Sequence, residues 1–251
     1  MRRKIYFASD FHLGAPNRAA SLEREQKIVR WLEMIQKDAQ SLYLMGDLFD
    51  FWFEYKHVVP KGYIRFLGKL AEISDAGIDL HIFVGNHDLW MKDYLSQELN
   101  AQIYTKPIER EWGGKKFYLA HGDGLGPGDY GYKMLKKVFT NPIAQWLFAF
   151  LHPYWGIGLA TYSSQTSRNA QIGDGTDVYL GDDKEWLFQH AKTVSAQKPS
   201  IDYFVFGHRH LPIDRKVNAK SRYVNLGDWI NYFTYAEFDG KDLLLKNFEP
   251  T

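Results

Sequence analysis

The 251-residue sequence contains no cysteine, which removes disulfides, thiolate nucleophiles, zinc–thiolate sites and cysteine-ligated iron–sulfur clusters in one step. Any metal must be held by nitrogen and oxygen. An excess of charge is missing too: 31 Lys+Arg stand against 30 Asp+Glu, a net of +1. The basic surplus typical of nucleic-acid-binding domains is absent, and no nucleic-acid partner is expected. The opening MRRKIYFASDFHLG has an apolar run too short for a signal peptide, because it meets Asp10 and His12 at once, and the chain reads as intracellular. Internal repeats and low-complexity tracts are also lacking. Apolar and aromatic residues are abundant, at 45% hydrophobic with 17 Phe, 16 Tyr and 8 Trp, enough for a large buried core.

The first hundred residues alternate between two periodicities. KIYFASD (4–10), SLYLMGD (41–47) and DLHIFVGNHD (79–88) are short apolar runs ending in polar turns, as buried strands do. Between them, Ile28, Trp31, Leu32, Ile35 and Ala39 follow a helical period over 21–38, and a second helical stretch over 62–76 stops at Gly77. This β-α-β-α-β order predicts a largely parallel sheet with right-handed crossovers. Beyond Asn100 the pattern changes to shorter strands and hairpins: IEREW, Gly113-Gly114, KKFYLAHGD, and later DYFVFGHRH, SRYVNLGDW, NYFTYAEF and KDLLLKNF. Two β-rich layers inside helices predict a four-layer α/β/β/α sandwich. It would be a single domain over 1–251, with a helical cap inserted at 129–200.

Five polar motifs end predicted strands: Asp10-Phe-His12, Gly46-Asp47-Leu-Phe-Asp50, Gly85-Asn86-His87-Asp88, His121-Gly122-Asp123 and Gly207-His208-Arg209-His210. Five of the nine histidines fall in them. The functional crevice of an open α/β sheet lies at the carboxyl ends of its strands, so the motifs should converge. Carboxylate, imidazole and carboxamide donors suit borderline or hard divalent ions. Two such ions about 3.5–4 Å apart can share a bridging carboxylate and activate water against phosphorus, with no side-chain nucleophile. Taken singly, each motif is ordinary turn chemistry; the ordered set is what points to metals. His57, His81, His152 and His190 lie outside every motif and read as surface or core histidines.

The ordered set resembles the calcineurin-like metallophosphoesterases, whose signature runs Asp-x-His, Gly-Asp, Gly-Asn-His-Asp/Glu, His before Gly, and Gly-His-x-His, here across residues 10 to 210. The resemblance implies one ion on Asp10, His12, Asp47 and His210, and a second on Asp47, Asn86, His121 and His208. It also implies a catalytic His87 near the leaving or a phosphate oxygen, with Asp88 as its partner.

A narrower resemblance, to the UDP-2,3-diacylglucosamine pyrophosphatases of lipid A synthesis, rests on chain length, GDLFDFWFEY after Asp47, HGD followed by Gly-Leu and Asp129-Tyr-Gly-Tyr132, and an apolar helical insertion. It implies hydrolysis of an acylated UDP-sugar to UMP and diacylglucosamine 1-phosphate, with two Mn²⁺ ions. It also implies a cytoplasmic enzyme resting peripherally on the inner-membrane surface, and substrate contacts from Asn86, Tyr132, Arg168 and His208. Many members of that branch carry Arg where this chain has His87. The alternatives are a phosphoesterase for soluble nucleotides or other phosphodiesters and monoesters, or a scaffold that has lost its metals. The stretch 142–160 reads as either a cap with an apolar inner face or a core helix; Gln145, His152, Pro153 and two glycines interrupt it too often for a membrane span. The aromatic run Phe51, Trp52, Phe53, Tyr55 is open to lipid contact or plain packing.

Overall fold

Alternation along single strands shows how the layers stack. In β1 (Lys4–Ala8), Ile5 and Phe7 enter one core cluster while Tyr6 and Ala8 enter another. In β7 (Tyr203–Phe206), Tyr203 and Val205 join Ile5 and Phe7, while Phe204 and Phe206 face a third cluster. Strands buried on both faces read as continuous apolar runs, and these two are the central layers of an α/β/β/α sandwich. The computed structural model describes residues 3–127, 130–160, 178–179 and 181–249.

One sheet has the order β11-β10-β1-β2-β3-β4, the other β5-β6-β7-β9-β8. Strands β1, β2 (Ala39–Leu44), β3 (Asp79–Phe83) and β4 (Gln102–Tyr104) run parallel, as the crossovers require. In the second sheet, β6 (Lys115–Ala120), β7 and β9 (Arg222–Leu226) are parallel. The antiparallel β5 (Ile108–Trp112) and β8 (Pro212–Lys216) flank them. The last hairpin, β10 (Thr234–Phe238) and β11 (Leu243–Asn247), returns to the first sheet, where β10 pairs with β1. Strands β4 and β8, and the short helix α3 (Tyr94–Leu99), carry too little periodicity to stand out in the sequence.

Helices α1 (Arg18–Ile35) and α2 (Ile64–Asp75) cover the first sheet. Helix α1 begins three residues before the predicted start because the Asn17 side chain accepts the Ala20 N–H at 3.1 Å. It buries Ile28, Trp31, Leu32 and Ile35 as their spacing predicts; Ala39, counted with them, belongs to β2. Helix α2 ends before Gly77, whose φ of 77° turns the chain into β3.

Within 129–200 the described helices divide. Helices α4 (Tyr130–Phe139) and α5 (Pro142–Ala149), and helical residues 153–160, stand off the sheets, and α4 and α5 bury no residue. Helix α6 (Trp186–Gln197) instead buries Leu187, Phe188, Ala191 and Val194 against the second sheet and supplies the fourth layer. Phe148 of α5 plugs into the aromatic run after Asp47, its ring 4.8 Å from Phe53 and 4.5 Å from Trp90. Trp52 and Phe53 are fully buried, so that run packs as a socket. Among the described residues no helix is long and apolar enough to cross a membrane.

Candidate metal centre

The loops after β1, β2, β3, β6, β7 and β9 carry Asp10 and His12; Asp47 and Asp50; Asn86, His87 and Asp88; His121 and Asp123; His208 to His210; and Asp228. Bringing these side chains together bends the backbone. Asp10 (φ 58°), His12 (44°), Asp47 (53°), His208 (65°) and His210 (60°) are left-handed, five of the eight non-glycine residues with positive φ among those described. Each such residue costs about 1–2 kcal/mol, and the conformation persists only where its surroundings over-determine it. Here Asp10 Oδ2 accepts the His208 N–H at 2.9 Å and Asp47 Oδ1 accepts the His87 N–H at 2.8 Å. Arg24 of α1 donates to the carbonyls of Phe11 (3.0 Å), His12 (2.7 Å) and Ala15 (2.9 Å). Three positions here must lack a side chain: a Cβ on Gly85 would lie 2.2 Å from Asp47 Oδ1, one on Gly207 2.0 Å from Ser9 Oγ, and one on Gly46 2.6 Å from His121 Nδ1.

Each carboxylate thus has one oxygen committed and one left over. Asp10 Oδ1, Asp47 Oδ2 and both His12 ring nitrogens are buried without a hydrogen bond. Around Asp10 Oδ1 stand His210 Nε2 at 3.5 Å and His12 Nε2 at 3.8 Å. Around Asp47 Oδ2 stand His121 Nε2 at 3.4 Å and His12 Nε2 at 3.8 Å. Two donors about 2.1 Å from one ion lie about 3–3.5 Å apart at ordinary bond angles, so this spacing fits a shared cation. Ligand atoms of Asp10, His12, Asp47 and His210 lie within 4.8 Å of one another, as do those of Asp47, His121 and His208. Asp47 belongs to both groups, and Asn86 Oδ1 stands 3.2 Å from His121 Nε2.

The electrostatics agree with a cation site. Burial opposes ionisation of Asp10, yet the facing His210 and His12 hold its carboxyl down at about 2. Burial is outweighed again at Asp47, which His121 and His87 hold well below the usual carboxylate range. Burial would also strip His12 of its proton, but Asp10, Asp50 and Asp47 hold its pKa up at about 10, and Asp47 does the same for His121. The negative field that retains those protons also attracts a dication. His208, pressed by burial and by His121, falls to about 4.

The remaining expected residues are placed as follows. His87 packs edge-on to His12, ring centres 4.8 Å apart, with its Nδ1 3.1 Å from the Asp50 carbonyl oxygen. Asp88, expected to pair with His87, instead turns both oxygens to backbone, accepting from Gly85 N (2.6 Å) and Leu48 N (2.9 Å). It latches two ligand loops together, and burial, reinforced by Asp47, pushes its pKa up to about 7. The Tyr132 hydroxyl donates to Asp123 at 2.5 Å, and its ring centre is 6.5 Å from that of His208. Arg168 and Asp129 lie outside the described residues. Four participants had been given no role. Asp50 faces His12 Nδ1 at 3.7 Å and Asp228 faces His210 Nδ1 at 3.3 Å, while Asp123 and Arg24 brace ligand loops. Asp50 and Asp123 stood in motifs, and Asp228 follows a glycine after a strand as Asp47 does; Arg24 left no signal.

A family model described as calcineurin-like phosphoesterase matches residues 3–212. The chain belongs to that family. The match spans every candidate ligand of this calcineurin-like phosphoesterase, from Asp10 to His210. Among curated proteins, the UDP-2,3-diacylglucosamine hydrolase of Porphyromonas gingivalis is 44% identical, covering 99% of both chains. The protein of the same name from Pseudomonas entomophila is 26% identical, covering 98% of this chain and 99% of its own. Among solved structures, the E. coli phosphoesterase Yfce aligns with a TM-score of 0.45 at 17% identity, covering 96% of this chain and 90% of its own.

Proposed function

We propose that the chain hydrolyses the pyrophosphate of UDP-2,3-diacylglucosamine, giving UMP and 2,3-diacylglucosamine 1-phosphate for lipid A synthesis. The observation that carries this reading is the end-to-end likeness to the P. gingivalis hydrolase, 44% identical over 99% of both chains. Asp10, His12, Asp47 and His210 would hold one divalent ion, and Asp47, Asn86, His121 and His208 a second, with Mn²⁺ as the metal. The buried, unpartnered oxygens of Asp10 and Asp47 support this assignment. Bound there, the ions would neutralise charge on the phosphate oxygens and make the attacking water more acidic.

The chain's own residues orient the rest. The Met45 carbonyl holds His121 Nδ1 at 2.7 Å and Asp228 faces His210 Nδ1, so each ring offers Nε2 to the centre. His87 donates from Nδ1 to the Asp50 carbonyl, so its Nε2 carries a proton only as imidazolium. Burial, with the charge of the neighbouring His12, lowers its pKa, but the negative charge of a diphosphate alongside favours the cation. Nε2–H then donates to a phosphate or leaving oxygen. Tyr132, its hydroxyl engaged by Asp123, meets substrate through its ring, and Arg168 is a further contact.

The cap's exposed apolar side chains would take the acyl chains at the inner-membrane surface, to which the enzyme binds peripherally from the cytoplasm. Met134, Ile143, Trp146, Phe150, Tyr154 and Trp155 are each more than 60% exposed. Exposed apolar side chains concentrated in this way mark a lipid, ligand or protein contact.

Hydrolysis with Mn²⁺ in ¹⁸O water tests the reading: label should appear in UMP. Label in the sugar 1-phosphate would move the attack to the other phosphorus. Turnover of soluble nucleotide diphosphates without the acylated substrate would replace the reading with the soluble-substrate alternative.

A further inference from the structure

The two overlapping ligand groups are fastened to different parts of the molecule. Asp10, His12 and His210 are braced by the sandwich. Arg24 gathers the Phe11, His12 and Ala15 carbonyls from α1. Asp228, which faces His210, is itself held by the N–H groups of Ile230 (3.2 Å), Asn231 (2.8 Å) and Tyr232 (3.1 Å).

His121 and His208 also have sandwich contacts, through Met45 and through Asp10, but each is followed by a charged residue that leads to the cap. Two residues beyond His121, the buried Asp123 turns its carboxylate to the Tyr132 hydroxyl and the Lys136 ammonium, both on α4. One residue beyond His208, the buried Arg209 pairs with Glu185 at 3.0 Å and donates to the Val178 carbonyl at 3.0 Å. Val178 is where the described chain resumes after residue 160. The first root of the cap therefore ends on the loop of His121, a member of one ligand group only, whereas the Arg209 loop carries His208 of that group and His210 of the other.

We propose that Asp123, Tyr132 and Lys136 form a positioning cluster that couples the cap, through the His121 loop, to the Asp47–Asn86–His121–His208 cation site. The inference rests on the ligand assignment proposed above. Groups one shell out from a metal ligand set its orientation, and their loss costs about 10–100-fold in metal affinity. Asp123 holds its loop only while α4 supplies Tyr132 and Lys136, so a displacement of α4 reaches His121 across Gly122. Linkage makes the effect mutual: what binds the cap in one position changes affinity for that ion, and the ion favours that position by the same factor. A substrate seated against the cap would thus tune the cation that grips its phosphate.

Titration of Mn²⁺ into the metal-free full-length protein, without substrate, decides this. Wild type should take up two ions. Lys136→Met, a change at a partly exposed side chain, should weaken one of them about 10-fold and leave the other and the melting temperature of the metal-free protein unchanged. Lys136→Arg should restore the affinity, and Tyr132→Phe should move it in the same direction by less. On a His121→Ala background, where one site remains, Lys136→Met should have no effect. Equal weakening of both ions, or of neither, overturns the coupling while leaving the ligand assignment intact. His121→Ala retaining two ions at wild-type affinity overturns the assignment and the coupling with it.

Discussion

Helix α5 and helix α1 invert what composition would suggest. Helix α5, PIAQWLFA, is apolar at every position but Gln145 and buries nothing; α1 alternates charge with apolar residues and buries seven of its eighteen. The difference lies in what stands opposite. Helix α1 lays a helical stripe on the outer face of the first sheet, among Tyr6, Leu42, Trp229 and Tyr235. Helix α5 has the socket around Phe148, while its other large apolar side chains, Ile143, Trp146 and Leu147, stay more than half exposed. Apolar sequence measures the demand for a dry partner and does not say that the partner belongs to the same chain. The sandwich and the cap should accordingly fail in different ways when mutated.

The sharpest break comes at the centre. Asp47→Ala should abolish turnover of every substrate, beyond the roughly 100-fold effect of an outer contact, and should weaken both bound ions; metal analysis with melting curves should show a folded, metal-poor protein. Next in size is Trp31→Ala, which opens a cavity among fully buried side chains and should cost about 3–5 kcal/mol. Trp146→Ala on the cap should stay within about 0.5 kcal/mol, and parallel denaturant titrations compare the two. Trp146→Glu with Phe150→Ser should then lower kcat/KM for long-chain substrate by about 10-fold or more, since each buried methylene contributes about 0.8 kcal/mol. The same pair should leave hydrolysis of bis-p-nitrophenyl phosphate unchanged; equal loss on both substrates with a lowered melting temperature would make the cap a core element.

The smallest effect is confined to the sandwich. His81 stacks on Tyr43 with ring centres 4.1 Å apart, and burial lowers its pKa from 6.5 to about 4. Folding therefore expels a proton between those values. The contribution is whole above pH 6.5 and is lost as pH falls towards 4. His81→Phe should flatten the fall in melting temperature across that window by a few degrees, as read by calorimetry.

The convergence of the five motifs was legible because each follows a strand and four of them contain a glycine, so that chemistry and local geometry leave the same mark. The α/β/β/α layering was legible for a related reason: double-sided burial makes strands such as β1 and β7 almost wholly apolar. Two kinds of fact were not written locally. One is partnership across the chain: NYFTYAEF is strand-like by its own pattern, but nothing in it shows that β10 pairs with β1. The other is support given by ordinary residues. Arg24 resembles any charged helix residue, although its guanidinium holds the Asp10–His12 loop, and Asp88 looked like a partner for His87 while its oxygens were committed to backbone. Helix α6, inside the predicted 129–200 insertion, belongs to the outer layer because its apolar stripe finds the second sheet.

The pairing of β10 with β1 also sets an order of assembly during synthesis. Strand β1 leaves the ribosome first and can join β2 early, but its other edge is covered only by β10, and Thr234 follows Ala8 by 226 positions. Until then the nascent chain carries an unpaired, apolar strand edge at the root of the Asp10 loop, a template for pairing with other chains. Contacts of such long sequence separation also form slowly. A premature stop just before β10 would spare every loop of the centre and still leave that edge bare, so the last hairpin guards the first strand against self-association.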